Sequence, residues 1–217
     1  MIAARTRILI AVTAEITARL FTSGYAAFLA DQGYDVHLVA DGVDALGTEL
    51  ADRGVTVHSL SMSRDPNPLK DVPSLVAMVR LIRSLRPDVA IYATPKASLL
   101  AALASWVTCV PVRIYALWGL RFETVTGGAR TVLRAVERVI AGLSTAVAAN
   151  SASLANRASQ FGITNRRRIT VPGHGSSHGV DLLLFDRDAE RPSIDEETVA
   201  FLRDGDDFTV TQEGDRL

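Results

Sequence analysis

The stretch RILIAVTAEITARLFTSGYAAFLADQGYDVHLVA, residues 7–40, determines the fold class of this chain. Its two ends, Arg7–Val12 and Asp35–Ala40, are short apolar runs typical of strands that are buried on both faces. The segment between them, Ile16–Gln32, predicts a helix, and Gly33 ends it because glycine readily adopts a left-handed conformation. Strand, helix and strand in this order favour parallel strands joined by a helical crossover.

The same alternation recurs along the chain roughly every 25 residues. Further strands are predicted at Thr56–Leu60, Val89–Ala93, Val112–Leu117, Ala146–Asn150 and Ile169–Val171. Helices are predicted at Ala45–Arg53, Val72–Arg86 and Ala129–Ser144, and after Pro95 and Ser151, with a loop at Ser61–Lys70. Thr94 is expected to cap the helix that begins at Pro95. The pattern predicts an α/β fold with a doubly wound, mostly parallel, Rossmann-like sheet.

Composition excludes several classes of protein. Hydrophobic residues make up 48% of the chain and charged residues 22%, which excludes a disordered or collagen-like chain. The single cysteine, Cys109, excludes an intrachain disulfide and a zinc site with two cysteine ligands, and its apolar neighbours predict an inert core position. The longest low-charge stretch, Ala97–Val112, is too short to span a membrane. We therefore expect a cytoplasmic protein, with peripheral contact to a membrane surface as a further option.

The net charge of −1 conceals a polarised chain. Residues 1–185 carry 19 basic and 13 acidic residues, whereas residues 186–217 carry 4 basic and 11 acidic ones. We therefore predict a domain over residues 1–185, followed by an acidic linker at 186–217. The basic domain favours anionic partners. Aromatic residues account for only 6% of the chain and do not alternate with basic ones, so we expect no nucleic-acid partner.

Ligands of open parallel sheets bind beyond the carboxyl ends of the strands. Three unusual segments follow predicted strands there: Thr94-Pro95-Lys96, the WGLRFE loop at Trp118–Glu123, and GHGSSHGVD at Gly173–Asp181. The GxGxxG and GxxxxGK[ST] phosphate-binding fingerprints are both absent, which argues against a nicotinamide or P-loop site. These segments are therefore the candidate binding residues.

Each candidate has a functional and a structural interpretation. Lys96, in the first turn of its helix, would bind a phosphate with the free N–H groups after Pro95, or it is a surface lysine. Arg121 and Glu123 would hold sugar hydroxyls or a diphosphate, or they pair with each other. Arg166–Arg168 predicts a solvated turn, with contact to anionic lipid headgroups as the functional alternative.

The last segment contains a spacing similar to that of metal ligands, in His174, His178 and Asp181. The surrounding glycines make the segment a loop, so we expect a backbone nest for an anion or a sugar and no metal site.

In their order and spacing, these segments resemble the family 4 glycosyltransferases of bacterial capsule, exopolysaccharide and O-antigen synthesis. The resemblance covers about residues 7–185. It is carried by SMSRDPNPLKD (Ser61–Asp71), RPDV (Arg86–Val89), TPKAS (Thr94–Ser98), VPVRIY (Val110–Tyr115), GLRFET (Gly119–Thr124), Ser151–Leu154 and GSSHGVD (Gly175–Asp181).

The resemblance implies the N-terminal half of a GT-B fold, in which this half holds the acceptor and a C-terminal half binds a nucleotide sugar. It also implies a retaining transfer with no bound cofactor, and a lipid-linked or oligosaccharide acceptor at the inner membrane face. No catalytic residue is assigned. The residues expected to line the acceptor cleft are Thr94, Lys96, Trp118, Gly119, Arg121, Phe122, Glu123, Ser176, Ser177, Gly179 and Asp181.

Three features depart from the family pattern. Trp118 stands where relatives often carry a histidine near the reacting sugar, and His174 and His178 stand where asparagine is usual. The chain also ends in a segment, residues 208–217, that resembles the first strand and glycine turn of a second domain. We therefore expect an acceptor-binding half with little activity alone. The alternatives are a docking subunit that partners a separate donor-binding chain, and a nucleotide-binding Rossmann domain.

Overall fold

The computed structural model describes residues 5–62 and 68–176, with the backbone alone at 68–70. Seven parallel strands form one sheet in the order β3-β2-β1-β4-β5-β6-β7, which confirms the predicted doubly wound fold. The strands are β1 (Arg7–Ala14), β2 (Asp35–Asp41), β3 (Val55–Ser59), β4 (Val89–Tyr92), β5 (Val112–Leu117), β6 (Ala146–Ala149) and β7 (Ile169–Thr170). The predicted domain boundary at residue 185 and the acidic segment 186–217 lie outside the described residues.

The helices connect these strands. They are α1 (Glu15–Thr17), α2 (Ser23–Asp31), α3 (Asp44–Ala51), α4 (Pro68–Leu85), α5 (Pro95–Val107), α6 (Gly127–Leu143) and α7 (Ala152–Gln160). Within the described part of the chain, every helix is too short or too polar to cross a membrane.

Two hydrophobic cores lie on opposite faces of the sheet. Side chains of a strand alternate between the two faces. In β1, Ile8, Ile10 and Val12 accordingly belong to one core and Leu9 and Ala11 to the other. Helices α2 and α3 complete the first core, and α4 to α7 complete the second. Burial on both faces explains why β1 is apolar from Ile8 to Val12.

Three local predictions differ from the structure. The helix expected at Ile16–Gln32 contains a π-helical segment at Ala18–Thr22, where the Thr22 hydroxyl donates to the Ala18 carbonyl. Helix α4 begins at Pro68, within the predicted loop, because proline suits the first turn of a helix. The prediction that Cys109 is a core residue is wrong. Its φ of 58° places it in the turn before β5, where its side chain is exposed.

The chain reverses its direction of winding between β1 and β4, which are neighbours in the sheet. Two threonines join the elements there: Thr13 Oγ1 lies 2.7 Å from Thr94 Oγ1, and the Thr13 N–H donates to Thr94 Oγ1 at 3.0 Å. The prediction that the Thr94 side chain caps α5 is wrong. Thr13 does so instead, accepting the Ala97 N–H at 3.2 Å. Thr94 itself has a φ of 68°, which is strained for a β-branched residue.

Replacing Thr13 with valine should therefore destabilise the protein. The variant keeps the shape of the side chain but removes the cap and leaves the Thr94 hydroxyl without this partner, at a cost of about 1–2 kcal/mol. Urea denaturation measures the change in the free energy of unfolding. Thr108→Val is the matched control, because the Thr108 hydroxyl donates to the Ala104 carbonyl within α5, and we expect a loss below about 0.5 kcal/mol. Equal losses in the two variants would contradict the capping role of Thr13.

Candidate functional site

Two cavities lie at the carboxyl ends of β1, β4 and β5, beside the reversal of winding. Their volumes are about 470 Å³ and 380 Å³, and they share Thr94, Pro95 and Arg121. Crevices at this position of a doubly wound sheet are the usual ligand sites of the fold. The larger cavity is also lined by Tyr115, Ala116, Trp118, Gly119, Leu120, Thr124 and Glu137, and the smaller one by Thr13, Ala14, Thr17 and Lys96.

Lys96 reaches the smaller cavity but already has a carboxylate partner. Its Nζ lies 2.5 Å from Oδ1 of Asp71 on α4, and only 10% of its side chain is exposed. The surface-lysine interpretation therefore fails, and a phosphate at this position would compete with Asp71. The Ala97 N–H, one of the donors expected to serve an anion, is bonded to Thr13. Lys96 thus contributes to the wall of the smaller cavity, with its ammonium group paired to Asp71.

The loop after β5 forms the rim of the larger cavity. Trp118 and Gly119 line it, and the Trp118 ring lies 5.9 Å from the Phe21 ring. Arg121 begins a 3-10 helical turn, Arg121–Thr124, and is exposed. Because Arg121 lines both cavities, a ligand that extends from one to the other would contact this residue.

Phe122 and Glu123, both expected in the cleft, lie elsewhere. The Phe122 side chain is fully buried and packs edge-on against Phe161. Glu123 forms an ion pair with Arg157, at 2.5 Å between Oε1 and a guanidinium nitrogen, and it does not pair with Arg121. A 3-10 turn has three residues per turn, so consecutive side chains point in different directions. Arg121 can therefore face the cavities while Phe122 enters the core.

The glycine- and serine-rich segment is described only in part. Gly175 has a φ of 93°, and a Cβ there would lie 2.5 Å from the Asn150 carbonyl oxygen, so the segment packs against the end of β6. Ser176 is exposed, and the lining of the two cavities, as far as the described residues show it, does not include it. Ser177, Gly179 and Asp181 lie outside the described residues.

A buried carboxyl group in the larger cavity was not anticipated from the sequence. Glu137 of α6 is only 3% exposed, and the Tyr115 hydroxyl donates a short hydrogen bond to it. Burial raises the pKa of Glu137, although the hydrogen bond from Tyr115 acts in the opposite direction. Burial also raises the pKa of Tyr115, and the charge of Glu137 raises it further. The sequence contains an indication of this buried carboxyl group. Glu137 is the charged residue on the apolar face of α6 that carries Leu133, Ile140 and Ala141.

Two further features concern ligand binding in the described part of the chain. Among the described residues, no cluster of three or more histidine, cysteine, aspartate or glutamate side chains could hold a metal ion. A third cavity, of about 660 Å³, lies near the opposite, amino ends of β4 and β5, where Arg86, Asp88 and Cys109 line it. It is larger than the other two, but this end of a parallel sheet is not where ligands of such folds bind.

The raised pKa of Glu137 predicts a pH-dependent stability difference. A group whose folded pKa exceeds its unfolded value contributes stability below the unfolded value, and loses that contribution as pH rises through the folded value. Relative to Glu137→Gln, the wild-type protein should therefore lose stability as the pH rises from 4.5 towards neutrality. Urea denaturation of both proteins across this range measures the difference. Glu49→Gln, an exposed partner of Arg19, is the control and should follow the wild type within about 0.5 kcal/mol. Parallel curves for wild type and Glu137→Gln would contradict the burial argument.

Solved structures of other proteins share this architecture. HepE of Anabaena, in complex with UDP-glucose, superimposes with a TM-score of 0.61 at 19% identity, over 92% of this chain and 49% of that chain. MurG of Acinetobacter baumannii gives a TM-score of 0.52 at 13% identity, over 79% of this chain and 45% of that chain. At these identities the likeness concerns the fold alone.

Comparison at the sequence level identifies the family. The capsular polysaccharide biosynthesis glycosyltransferase CapM of Staphylococcus aureus is 34% identical over 166 residues, which cover 76% of this chain and 43% of CapM. The chain thus spans less than half the length of CapM and about half that of HepE. A family model for the glycosyl transferase 4-like domain matches residues 18–174, which include the strands β2 to β7 but not β1. The chain therefore belongs to the glycosyl transferase 4-like family.

Proposed function

We propose that this chain is the acceptor-binding part of a glycosyltransferase that acts in cell-surface polysaccharide synthesis. Membership of the family and the similarity to CapM support this class of reaction. The acceptor would occupy the paired cavities at the carboxyl ends of β1, β4 and β5. The observation that carries the proposal is the position of Arg121, which lines both cavities.

The surroundings of Arg121 suit a lipid-linked sugar. The guanidinium would bind the diphosphate, since arginine offers several N–H donors in a geometry that matches phosphate oxygens. Next to the cavities, the Phe21 and Trp118 rings contact each other at a tilted angle. Beside them, α1 and the π-helical segment form an apolar ridge, where Ile16 is 48% exposed and Leu20 is 60% exposed. A prenyl chain would pack on this ridge. The sugar would then lie in the larger cavity, near Glu137 and Tyr115.

The donor would be a nucleotide sugar bound by a separate domain or chain. HepE, whose structure contains UDP-glucose, is about twice as long as this chain. Its additional length supports the binding of donor and acceptor by different domains. On this proposal the transfer is retaining and needs no metal, and the 217 residues alone catalyse little of it. Trp118 stands where relatives often carry a histidine, and its indole, unlike an imidazole, cannot exchange a proton near neutral pH. A role in binding without catalysis is therefore the second candidate, in which the chain is a docking subunit for a separate donor-binding chain.

Acceptor binding can be followed through Trp118, because the chain has only two tryptophans. In a Trp106→Phe background, a short-chain prenyl diphosphate-linked N-acetylglucosamine should change the Trp118 fluorescence in a saturable manner. Arg121→Gln should weaken this binding at least tenfold, because a hydrogen bond to a charged group contributes about 1.5–3 kcal/mol. Arg80→Gln, an exposed site on α4, removes the same charge and should leave the affinity unchanged.

Three outcomes of this experiment separate the alternatives. Equal affinities of the Arg121→Gln and Arg80→Gln variants would overturn the assignment of the diphosphate site. Binding of the nucleotide sugar alone, with no response to the prenyl diphosphate, would favour the nucleotide-binding Rossmann domain. Acceptor binding followed by transfer only after a separate donor-binding chain is added would support the division proposed here.

A further inference from the structure

Two histidines meet on neighbouring strands, on the face of the sheet that α4 covers. His37 belongs to β2, and His58 belongs to β3, the strand at one end of the described sheet. Their positions are diagonal, because His58 is paired with Val39 in the register of the two strands. Side chains at such diagonal positions are within reach of each other. The ring centroids are 5.2 Å apart, and His37 Nδ1 lies 3.0 Å from His58 Nε2.

The separation of these two nitrogens equals that of two ligands on one metal ion. Imidazole nitrogens bind zinc at about 2.0–2.1 Å, so two of them on one ion lie about 2.9–3.4 Å apart at bond angles of roughly 90–109°. The observed 3.0 Å falls within this range. The two side chains therefore need little movement to share an ion.

A carboxylate lies behind His37, on the side of the ring that faces away from His58. His37 Nε2 is a buried nitrogen with no hydrogen bond of good geometry to any described residue, and Asp35 Oδ1 lies 3.3 Å from it. The negative charge favours the proton on Nε2, which leaves the lone pair on Nδ1. Histidines that bind metals usually present such an N–H to a carboxylate. The charge of Arg7 does not oppose a cation here, because Arg7 forms an ion pair with Asp35 at 2.5 Å.

Both imidazoles are neutral at neutral pH. Burial lowers the pKa of His37, although the charge of Asp35 acts in the opposite direction. Burial also lowers the pKa of His58. Metal ions bind the neutral form of the imidazole, so no proton has to be removed from a charged ring before an ion binds.

A cavity next to His58 gives access to the pair. It has a volume of about 580 Å³ and lies between β3 and α4, where Ser61 and Ser74 contribute polar atoms to its lining. His37 is 8% exposed, whereas His58 is half-buried and lines this cavity. Since a water molecule occupies about 30 Å³, the cavity has room for the water that accompanies a metal ion.

We propose that His37 Nδ1 and His58 Nε2 bind one divalent transition-metal ion, of the class of Zn²⁺, Ni²⁺ or Cu²⁺, with water as the remaining ligands. Nitrogen ligands favour these ions over Mg²⁺ and Ca²⁺, which prefer oxygen. The ion takes the place of the proton between the two rings, and His58 then carries its proton on Nδ1. Water completes the site because the described residues include no group of three or more metal-binding side chains.

The ion links β3 to β2 and therefore stabilises this end of the sheet. As far as the described residues show it, the lining of the two cavities assigned to the acceptor includes neither histidine. The inference is thus independent of the proposed glycosyl transfer.

Equilibrium dialysis of the untagged, full-length chain against Zn²⁺ tests the site. We expect the wild type to bind an ion that His58→Asn binds at least tenfold more weakly, because even changes outside the ligands of a metal site cost about 10–100-fold in affinity. His174→Asn is the matched control. It makes the same substitution at an exposed histidine outside the pair, and it should keep the affinity of the wild type.

Two further measurements accompany the dialysis. Zn²⁺ should raise the urea midpoint of the wild type and of His174→Asn, and leave that of His58→Asn unchanged. If His58→Asn fails to fold, as judged by circular dichroism, electron paramagnetic resonance of Cu²⁺ bound to His174→Asn replaces it. The spectrum should show coupling to two imidazole nitrogens.

The proposal would be overturned if the wild type took up no Zn²⁺, or if His58→Asn bound it as tightly as the wild type. Loss of binding in His174→Asn would also overturn it, because the ion would then belong to the glycine-rich loop. Coupling of Cu²⁺ to fewer than two nitrogens in His174→Asn would have the same meaning. Failure of acceptor binding to the cavities would leave the zinc result unaffected, so the two proposals fail separately.

Discussion

The hydrogen bonds between Thr13 and Thr94 join the two halves of the sheet where its winding reverses. They connect the end of β1 to the residue before α5 and supply the cap of that helix. They also stabilise Thr94 in a backbone conformation that a β-branched residue rarely adopts. Because Thr94 and Pro95 form the wall that both cavities share, the shape of the candidate site depends on this link. The strain at Thr94 therefore lies at the site itself.

Much of the fold could be predicted from the sequence, because buried parallel strands are apolar throughout and glycines mark several helix ends. β1, β2, β5 and β6 lie within a residue or two of their predicted bounds. The wrong predictions of local structure occur where contacts in the folded chain, rather than the local sequence pattern, determine the conformation. Cys109 has apolar neighbours, but the turn before β5 requires a left-handed residue and leaves its side chain in solvent. The π-helical segment after α1 leaves no signal in apolar spacing.

The candidate site was less predictable than the fold. The rule that ligands bind at the carboxyl ends of parallel strands locates Thr94, Lys96, Trp118 and Arg121 at the cavities. The rule does not say in which direction each side chain of the 3-10 turn points. Phe122 and Glu123 were therefore expected in a cleft that neither residue lines. Contacts between residues that are far apart in the sequence also cannot be predicted in this way. The pairing of Lys96 with Asp71, and of Glu137 with Tyr115, joins elements that only the folded structure brings together.

The measurement that tests this account most directly is hydrogen exchange, followed by mass spectrometry, with and without the prenyl diphosphate-linked sugar. If the acceptor occupies the crevice between β1 and β4, exchange should slow in peptides that cover residues 13–22, 94–98 and 118–124. Slowing confined to residues 82–88 and 107–111, around the cavity at the amino ends of the strands, would contradict the account. Unchanged exchange at a saturating concentration of the sugar would contradict it equally.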